Sequence, residues 1–290
     1  MRSWLIVWLP AQGSNLYHEV QGLVSYQLDD PEINLVLTDL INTAMDNIDT
    51  LLNNIRDQLT GVDVKDPISE NHPLIYDAAI RHEGSDWPST ALTMIGTRRM
   101  DNIRELAKVV LDNNIPGDFI ETGVWRGGAC IFMAAILKAY NDTMRKVWVC
   151  DSFEGLPAPN VEKYPQDEGD IHYHLSWFLA ISKETVEENF KKHNLLSPQV
   201  QFVKGWFSDT LSTIPAKQFA IVRLDGDMYE STMDSLVALY PKLSPGGFLI
   251  VDDFGHPRCK QAIIDYREKH NITCKIVLIG TTGHHIYWQK

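Results

Sequence analysis

Residues 219–227, "FAIVRLDGD", form a run of apolar, β-favouring residues that ends in Asp225 and Asp227. Residues 248–255, "FLIVDDFG", repeat this arrangement with a second pair of aspartates. Continuous runs of Val, Ile, Leu and Phe are typical of strands that helices cover on both faces, as in parallel sheets. The two stretches therefore predict neighbouring strands of one sheet that carry paired carboxylates at their carboxyl ends.

Short β-rich runs alternate with helical patterns from Gly117 to the end of the chain. The runs are "DFIETG", "KVWVCDSF", "VQFVKGW", "FAIVRLDGD", "GFLIVDDF", "CKIVLIG" and "HHIYWQ". Helical patterns follow the first five, which favours a mostly parallel sheet with helices on both faces. Only "TTGH" separates the last two, so we expect a hairpin with one antiparallel strand. The sequence predicts an α/β protein with a seven-stranded, mostly parallel sheet.

The N-terminal part of the chain shows three kinds of segment. Residues 1–30 have no clear periodicity, whereas residues 31–59 place apolar side chains at the spacing of an amphipathic helix. A second helical pattern covers residues 89–114, after a Pro-, Gly- and Asp-containing stretch at residues 63–88 that suits a lid or a plain connector. The predicted domains are an extension, N-terminal helices with a lid, and the main domain, at residues 1–30, 31–110 and 111–290.

Composition limits the classes of function. A chain of 290 residues that is 44% hydrophobic and 22% charged contains enough apolar material for a large core. Its formal net charge of −12 disfavours a nucleic-acid-binding surface, because Lys and Arg must neutralise phosphates there. No stretch approaches the ~20 consecutive apolar residues of a membrane span. We expect neither nucleic acid nor a membrane as a partner.

The cysteines and the N-terminus bear on the cellular compartment. The four cysteines show no C-x-x-C spacing and lie in mainly apolar segments, as buried free thiols do. Residues 1–13, "MRSWLIVWLPAQG", contain one early positive charge and an apolar stretch at the lower limit of a secretory signal. We interpret the chain as a cytoplasmic protein, with secretion as the alternative.

A glycine-rich loop follows the first predicted strand. Residues 121–130, "ETGVWRGGAC", space their glycines as G-x-x-x-G-G, unlike the G-x-G-x-x-G that holds a dinucleotide pyrophosphate. Glycines here would let a ligand approach the backbone and the N–H groups of the following helix, although close strand-helix packing explains them equally well. The loop favours a nucleoside ligand other than a dinucleotide and disfavours a nicotinamide dehydrogenase.

Asp151 ends the second predicted strand. An acidic side chain there can accept hydrogen bonds from both ribose hydroxyls of a nucleoside ligand. The following "SFEGL" also suits an aspartate that caps a helix. We interpret Asp151 as a ribose-binding residue. After the third strand, Trp206 and Phe207 suit either the two faces of a purine ring or packing in the core.

The two aspartate pairs predict a metal site. Asp225 and Asp227 should lie beside Asp252 and Asp253, because adjacent parallel strands end at the same edge of a sheet. Converging carboxylates raise each other's pKa unless a cation neutralises them. An all-oxygen set suits Mg²⁺ or Mn²⁺ rather than Zn²⁺, which prefers nitrogen and sulfur. The alternative is that these aspartates are helix caps and turn residues.

Several long motifs occur in the order of one known family. They are "DWPSTALTMIGTRRMDNI", "FIETGVWRGGACIFMAA", "CDSFEGLP", "KYPQDEGD", "VKGWFSDTL", "VRLDGDMYESTMDSL" and "GGFLIVDDFG". Together they resemble the macrocin O-methyltransferase family, whose members use S-adenosylmethionine and act on sugar hydroxyls of antibiotics such as tylosin, mycinamicin and novobiocin. The resemblance extends from about residue 31 to the end of the chain.

The resemblance implies a class I methyltransferase of Rossmann-like fold that uses S-adenosyl-L-methionine and a magnesium ion. Asp225, Asp252 and Asp253 would hold the metal, and Asp227 would be the general base. A sugar hydroxyl has a high pKa, so the enzyme must align it with the sulfonium methyl group and ease the loss of its proton. A metal that coordinates the hydroxyl does both, and Asp227 then removes the proton.

The resemblance also implies a cofactor site and an acceptor side. The residues implied to bind the cofactor are Met94, Glu121, Thr122, Gly123, Asp151, Ser152, Asp209 and Asp225. Asp209 would lie near the adenine, and Met94 in a lid over the methionine end. Residues 163–177 correspond to a mobile loop beside the acceptor, which we expect to be a glycosylated natural product. His256 has no implied role, and we interpret it as a surface turn residue. We further expect a homo-oligomer.

Two other classes of protein fit part of this pattern. A metal-dependent glycosyltransferase also uses a D-x-D motif after a strand, although it needs neither the glycine loop nor the acid after the second strand. A scaffold that keeps the fold without activity is the non-enzyme alternative, which the complete carboxylate set disfavours. Melting temperatures distinguish the two enzymes: a nucleotide sugar would raise that of a glycosyltransferase, and adenosylmethionine would raise that of a methyltransferase.

Overall fold

Seven strands form one sheet in the computed structural model of the protein, which describes residues 31–68 and 75–290. Their bounds are β1 Asp118–Thr122, β2 Val147–Asp151, β3 Val200–Lys204, β4 Phe219–Leu224, β5 Leu243–Val251, β6 Val277–Ile279 and β7 His285–Gln289. The order across the sheet is β3-β2-β1-β4-β5-β7-β6. Strands β1 to β5 are parallel, and β7 is antiparallel to β5 and β6. The predicted sheet and its hairpin are confirmed; the prediction for residues 1–30 lies outside the described residues.

Helices flank the sheet and precede it in the chain. Their bounds are α1 Pro31–Thr60, α2 Ala78–Glu83, α3 Gly96–Asp112, α4 Gly128–Ala139, α5 Ser176–Leu179, α6 Lys183–Lys192, α7 Phe207–Thr210, α8 Tyr229–Leu239 and α9 Pro257–Lys269. The first predicted helix is confirmed as α1, whereas the second helical pattern becomes helical only from Gly96. The N–H groups of Leu92 and Thr93 donate to the Leu59 carbonyl, and the Gly128 N–H donates to Leu92. These bonds hold the stretch before α3 between α1 and α4.

The apolar runs of the central strands supply two cores, one on each face of the sheet. Phe119 of β1 and Ile221 of β4 are fully buried in the core that α1, α3 and α4 cover. The next residues, Ile120 and Val222, are fully buried in the core beneath α8 and α9. Successive side chains of a strand point to opposite faces, so a strand covered on both sides must be apolar throughout. Burial of each such side chain stabilises the fold by about 1.5–3 kcal/mol.

Two further findings bear on the expected compartment. None of the helices within the described part of the chain is long and apolar enough to cross a membrane. The cysteines are free thiols, and Cys130, Cys150 and Cys259 are buried in the two cores, as the apolar context of the sequence predicts. The cytoplasmic location stays a prediction.

Candidate active site

A cavity of about 570 Å³ lies at the carboxyl ends of strands β1 to β5. Small-molecule sites usually measure about 300–1,000 Å³. The strand order reverses between β1 and β4, which is where open α/β sheets bind their ligands. Most of the predicted site residues line the cavity, namely Met94, Glu121, Gly123, Asp151, Ser152, Asp225, Asp227, Asp252 and Asp253.

Two predicted cofactor residues lie outside this lining. Thr122 is buried at the end of β1. Asp209 is exposed in the short helix α7, where its carboxylate accepts a hydrogen bond from Ser208. Trp206 and Phe207 do line the cavity, together with Ser208. Phe207 also packs against the core beneath α8 and α9, so the lining favours the purine-flanking interpretation over core packing for Trp206 alone. The adenine contact of Asp209 stays a prediction that this geometry does not support.

The glycines after β1 are required by the protein's own backbone. Gly123 has a φ of +85°, and a Cβ atom there would lie 1.6 Å from the carbonyl oxygen of Asp225. At the start of α4, the Gly128 N–H donates to the Leu92 carbonyl at 2.9 Å, and a Cβ atom at Gly128 would lie 2.5 Å from that carbonyl oxygen. Close packing, the alternative that the sequence left open, therefore explains Gly123 and Gly128.

Asp151 uses both carboxylate oxygens to hold the loops around the end of β2. Oδ2 accepts the N–H of Val124 at 2.7 Å, and Oδ1 accepts the N–H of Phe153 at 2.7 Å. Burial raises the pKa of Asp151, and these two hydrogen bonds oppose the rise. A turn follows, which the Ser152 hydroxyl closes by donating to the Gly155 carbonyl. Because no helix begins here, the alternative of a helix cap is wrong.

Two segments meet over one side of the cavity. Residues 84–95 contribute Trp87 and Met94 to its lining. The Trp87 ring stacks on the ring of Phe178, from the segment between β2 and α6, with centroids 4.9 Å apart. The indole Nε1 of Trp125, in the loop after β1, donates to the Phe178 carbonyl at 3.2 Å. These contacts bring the stretch expected to act as a lid onto the loop that follows β2.

Arg223 connects the carboxylates at the ends of β1, β4 and β5. Its guanidinium forms ion pairs with Glu121 and Asp252 and donates to Asp225 Oδ2 at 2.7 Å. Arg99 of α3 forms a second ion pair with Asp252. Sequence reasoning missed both arginines. A signal existed in β4, because a guanidinium inside an apolar run requires buried partners for its charge.

The neighbouring carboxyl groups at the end of β5 have opposite electrostatics. Burial acts to raise the pKa of Asp252, but Arg223 and Arg99 outweigh it and lower the pKa to about 2. Burial raises the pKa of Asp253 well above its usual value, and the charge of Asp227 raises it further. Asp252 is therefore neutralised by the protein itself, whereas Asp253 has no comparable ion pair among the described residues.

Asp227 lies beside Asp253 at the end of β4. Its backbone adopts a left-handed φ of +61°, which is uncommon for a residue other than glycine. The Asp227 N–H donates to Asp253 Oδ2 at 2.9 Å and so helps to hold this conformation. Burial, followed by the charge of Asp225, raises the pKa of Asp227 to about 7. A carboxyl group with such a pKa can take or release a proton near neutral pH.

The carboxylates at the ends of β4 and β5 come close enough to share one cation. Oxygen atoms of Asp225, Asp252 and Asp253 lie within 4.8 Å of one another, and so do ligand atoms of Asp227, Asp253 and His256. The carboxylates here outnumber the two guanidinium groups that pair with them. The first set offers only oxygen, which is the chemistry that Mg²⁺ and Mn²⁺ prefer. The residues present therefore fit the predicted metal.

His256 closes a turn, through its N–H to the Asp253 carbonyl at 2.8 Å, and this turn lies inside the site. It is half-buried immediately before α9, lines the cavity, and has its ring centroid 5.0 Å from that of His172. Burial lowers the pKa of His256, and the nearby His172 lowers it further. The interpretation of His256 as a surface residue is therefore wrong, because the loop after β2 covers it.

The strand order, the cavity at the carboxyl ends of the strands and the acid that ends β2 define a class I methyltransferase fold. The chain belongs to the Macrocin-O-methyltransferase (TylF) family, whose sequence pattern matches residues 33–290. Family membership confirms the resemblance seen in the sequence and identifies an S-adenosylmethionine-dependent O-methyltransferase. It decides against the glycosyltransferase and the dehydrogenase.

Individual relatives agree with this assignment. Demethyldecarbamoylnovobiocin O-methyltransferase of Streptomyces niveus is 48% identical over 216 residues, which make up 74% of this chain and 82% of the relative. Mycinamicin III 3''-O-methyltransferase of Micromonospora griseorubida is 46% identical over 223 residues, 75% of this chain and 87% of the relative. The solved structure of the O-methyltransferase NovP has a TM-score of 0.80 at 44% identity and covers 84% of this chain and 99% of its own. The calicheamicin methyltransferase CalS11, at 18% identity and a TM-score of 0.55, shares the fold.

Proposed function

We propose that this O-methyltransferase transfers the methyl group of S-adenosyl-L-methionine to a sugar hydroxyl of a glycosylated secondary metabolite and requires Mg²⁺ or Mn²⁺. The observation that carries the proposal is the excess of carboxylates at the ends of β4 and β5, in a cavity that Asp151, Trp206 and Phe207 line on its other side. The names of three relatives, which act on novobiocin, rhamnosyl-tetracenomycin and mycinamicin precursors, support the class of acceptor.

The donor side of the cavity, at the ends of β1 to β3, binds the cofactor in this proposal. Asp151 accepts hydrogen bonds from the ribose hydroxyls in this proposal, since it lines the cavity and a carboxylate oxygen, such as the Oδ2 that accepts the Val124 N–H, can accept more than one hydrogen bond. Trp206 and Phe207 flank the adenine ring. Glu121 and Gly123 lie toward the methionine end, and Met94 covers it. This assignment uses residues that line the cavity and gives Thr122 and Asp209, which lie outside the lining, no contact with the cofactor.

The acceptor side, at the ends of β4 and β5, holds the metal. Asp225, Asp252 and Asp253 would be its ligands, and Arg223 and Arg99 fix the orientation of the Asp252 carboxylate. When bound, a hard divalent ion supplies Lewis-acid polarisation of the acceptor oxygen and a fixed orientation for it. The acceptor therefore binds beside these carboxylates, under the loop at residues 163–177.

Asp227 accepts the proton of the acceptor hydroxyl. Burial and the charge of Asp225 raise the pKa of Asp227 to about 7, and a cation bound beside it would favour the ionised form, which accepts the proton. The hydrogen bond from its N–H to Asp253 fixes its backbone next to the metal ligands. Asp227 differs in this from Asp252, whose two arginine partners keep it ionised and therefore unsuited to accept a proton.

The proposal also covers the location, oligomeric state, partners and lid of the enzyme. We propose a cytoplasmic homo-oligomer that binds neither nucleic acid nor membranes, in keeping with the net charge of −12. Met94 and its neighbours serve as the lid over the cofactor, and the stacking of the preceding Trp87 on Phe178 supports that role.

A methyl-transfer assay tests the proposal. Purified protein, stripped of metal and supplied with adenosylmethionine, is offered demethyldecarbamoylnovobiocin, a rhamnosyl-tetracenomycin, mycinamicin III and, as a non-glycosylated acceptor, a simple catechol, with Mg²⁺ or with excess EDTA. We expect transfer to at least one of the three glycosylated acceptors with Mg²⁺ and none with EDTA. Equal transfer in both conditions would remove the metal from the proposal, and transfer only to a non-glycosylated acceptor, such as a simple catechol, would remove the sugar.

A further inference from the structure

The loop after β2 contains an aspartate-histidine pair that faces the acceptor side of the cavity. His172 Nδ1 lies 3.1 Å from both carboxylate oxygens of Asp170. The backbone N–H of His172 also donates to Asp170 Oδ1, at 2.7 Å. The Asp170 side chain is only 1% exposed. Because an ionised carboxylate can only accept hydrogen bonds, the proton of a neutral His172 lies on Nδ1. Its Nε2 is then a hydrogen-bond acceptor.

This pair stands on a segment that is fixed to two helices. The Asp167 carboxylate accepts the N–H groups of Tyr229 and Glu230, at 2.9 and 2.8 Å, at the start of α8. Arg258 of α9 donates to the Glu168 carbonyl at 2.8 Å and lies 3.5 Å from Asp170. A side chain on such a support keeps its orientation, as a substrate-positioning group must.

His172 lies near the reacting groups. It lines the same cavity as Asp227, Asp253 and His256, and its ring packs against the ring of His256. The ring is therefore beside the position that the acceptor hydroxyl takes in the proposed function.

We propose that His172 is an acceptor-binding residue whose Nε2 accepts a hydrogen bond from a hydroxyl of the bound acceptor, while Asp170 holds the ring through Nδ1. The inference rests on the proposed function and adds a requirement to it. The acceptor must present a hydroxyl to the loop in addition to the one that is methylated, as a sugar ring does. His172 thereby selects polyhydroxylated rings over isolated hydroxyl groups.

The alternative is a purely structural role, in which Asp170, His172 and Arg258 only stabilise the conformation of the loop. Two conservative variants separate the roles, because the amide nitrogen of Asn occupies the position of Nδ1 whereas the amide of Gln reaches the position of Nε2. His172→Asn keeps the bond to Asp170 and loses the acceptor contact. His172→Gln keeps a hydrogen-bond acceptor toward the cavity. His174, exposed on the same turn and absent from the cavity lining, provides the matched control as His174→Asn.

The experiment measures KM for the best acceptor of the panel, kcat, adenosylmethionine affinity and melting temperature. We expect His172→Asn to raise the acceptor KM roughly 3- to 10-fold, the value of one hydrogen bond, with cofactor affinity and melting temperature unchanged. His172→Gln should recover most of this loss, and His174→Asn should match the wild type. A wild-type KM in His172→Asn, or a defect only in His172→Gln, overturns the proposal.

A separate measurement keeps this inference distinct from the proposed function. If no panel member is methylated, the proposed acceptor class fails, and nitrogen-15 NMR of the histidines in the free enzyme still tests the geometry. We expect His172 to carry its proton on Nδ1 and to lose that preference in Asp170→Asn. A proton on Nε2 in the wild-type enzyme would overturn the inference whatever the acceptor.

Discussion

The donor and acceptor sides of the cavity use the same chemical group in two different ways. On the donor side, Asp151 accepts N–H groups from Val124 and Phe153, so its charge is distributed over the backbone that surrounds it. On the acceptor side, burial raises the pKa of both Asp227 and Asp253; the charge of Asp225 adds to the rise for Asp227, and the charge of Asp227 adds to it for Asp253. The first arrangement presents a fixed hydrogen-bond acceptor. The second leaves negative charge that a cation or a proton must balance.

The largest expected effect separates two aspartates of the acceptor side. Asp227→Asn keeps size and most hydrogen bonding but cannot take the proton, so turnover should fall by roughly 10² to 10⁴, with metal and cofactor affinity nearly intact. Asp225→Asn should weaken the metal site first, and high Mg²⁺ should restore part of its activity. Steady-state kinetics across a Mg²⁺ series measure both variants. Near wild-type turnover in Asp227→Asn would show that Asp227 is not the residue that accepts the proton of the acceptor hydroxyl.

An ion pair outside the cavity tests how much a buried carboxylate depends on a partner for its charge, which is the basis of the comparison between the two sides. Arg81 and Asp86 are both almost fully buried, with the guanidinium 2.9 Å from the carboxylate. Arg81→Met should destabilise the protein by about 3–5 kcal/mol because it leaves the Asp86 charge buried without a partner. Arg98→Met, which removes the more exposed pair with Glu83, should cost about 0–1 kcal/mol. Denaturant unfolding measures both, and equal losses would contradict this reading of burial.

The donor side should respond through cofactor affinity alone. Asp151→Ala should cost about 1.5 to 3 kcal/mol of adenosylmethionine binding, the range for a hydrogen bond to a charged group. Calorimetry on the folded variant checks this, with Asp227→Asn as the acceptor-side control that should bind the cofactor normally. Unchanged cofactor binding in Asp151→Ala would remove the ribose assignment.

The smallest effect concerns a residue that the family resemblance places near the adenine. Asp209 is exposed and lies outside the cavity lining, so Asp209→Ala should change cofactor affinity by no more than about 0.5 kcal/mol, the usual limit for surface substitutions. The same calorimetric titration measures it. A loss of affinity as large as that of Asp151→Ala would show that the cofactor contacts Asp209 and that the cofactor site extends beyond the residues that line the cavity.

Local sequence predicts the carboxyl ends of the strands well, because an apolar run followed by an acid fixes both the strand and the edge where it ends. Asp151, Asp225 and Asp252 were found in this way. Arg99 was missed because its partner Asp252 lies 153 residues away in the chain, and no local pattern reports such a distance. His172 belongs to a loop for which the family resemblance implied only a mobile segment beside the acceptor. The sequence could not give the orientation of His172, because that orientation depends on contacts of the loop with α8 and α9.

The central claim is that the acceptor-side carboxylates hold one divalent cation. Calorimetric titration of Mg²⁺ into metal-free protein tests it directly, with the wild type compared with Asp253→Ala and with Asp209→Ala as a control for lost surface charge. The account predicts one bound ion per chain in the wild type and the control, and severe loss of binding in Asp253→Ala. No binding in the wild type, or equal affinity in Asp253→Ala, would contradict it.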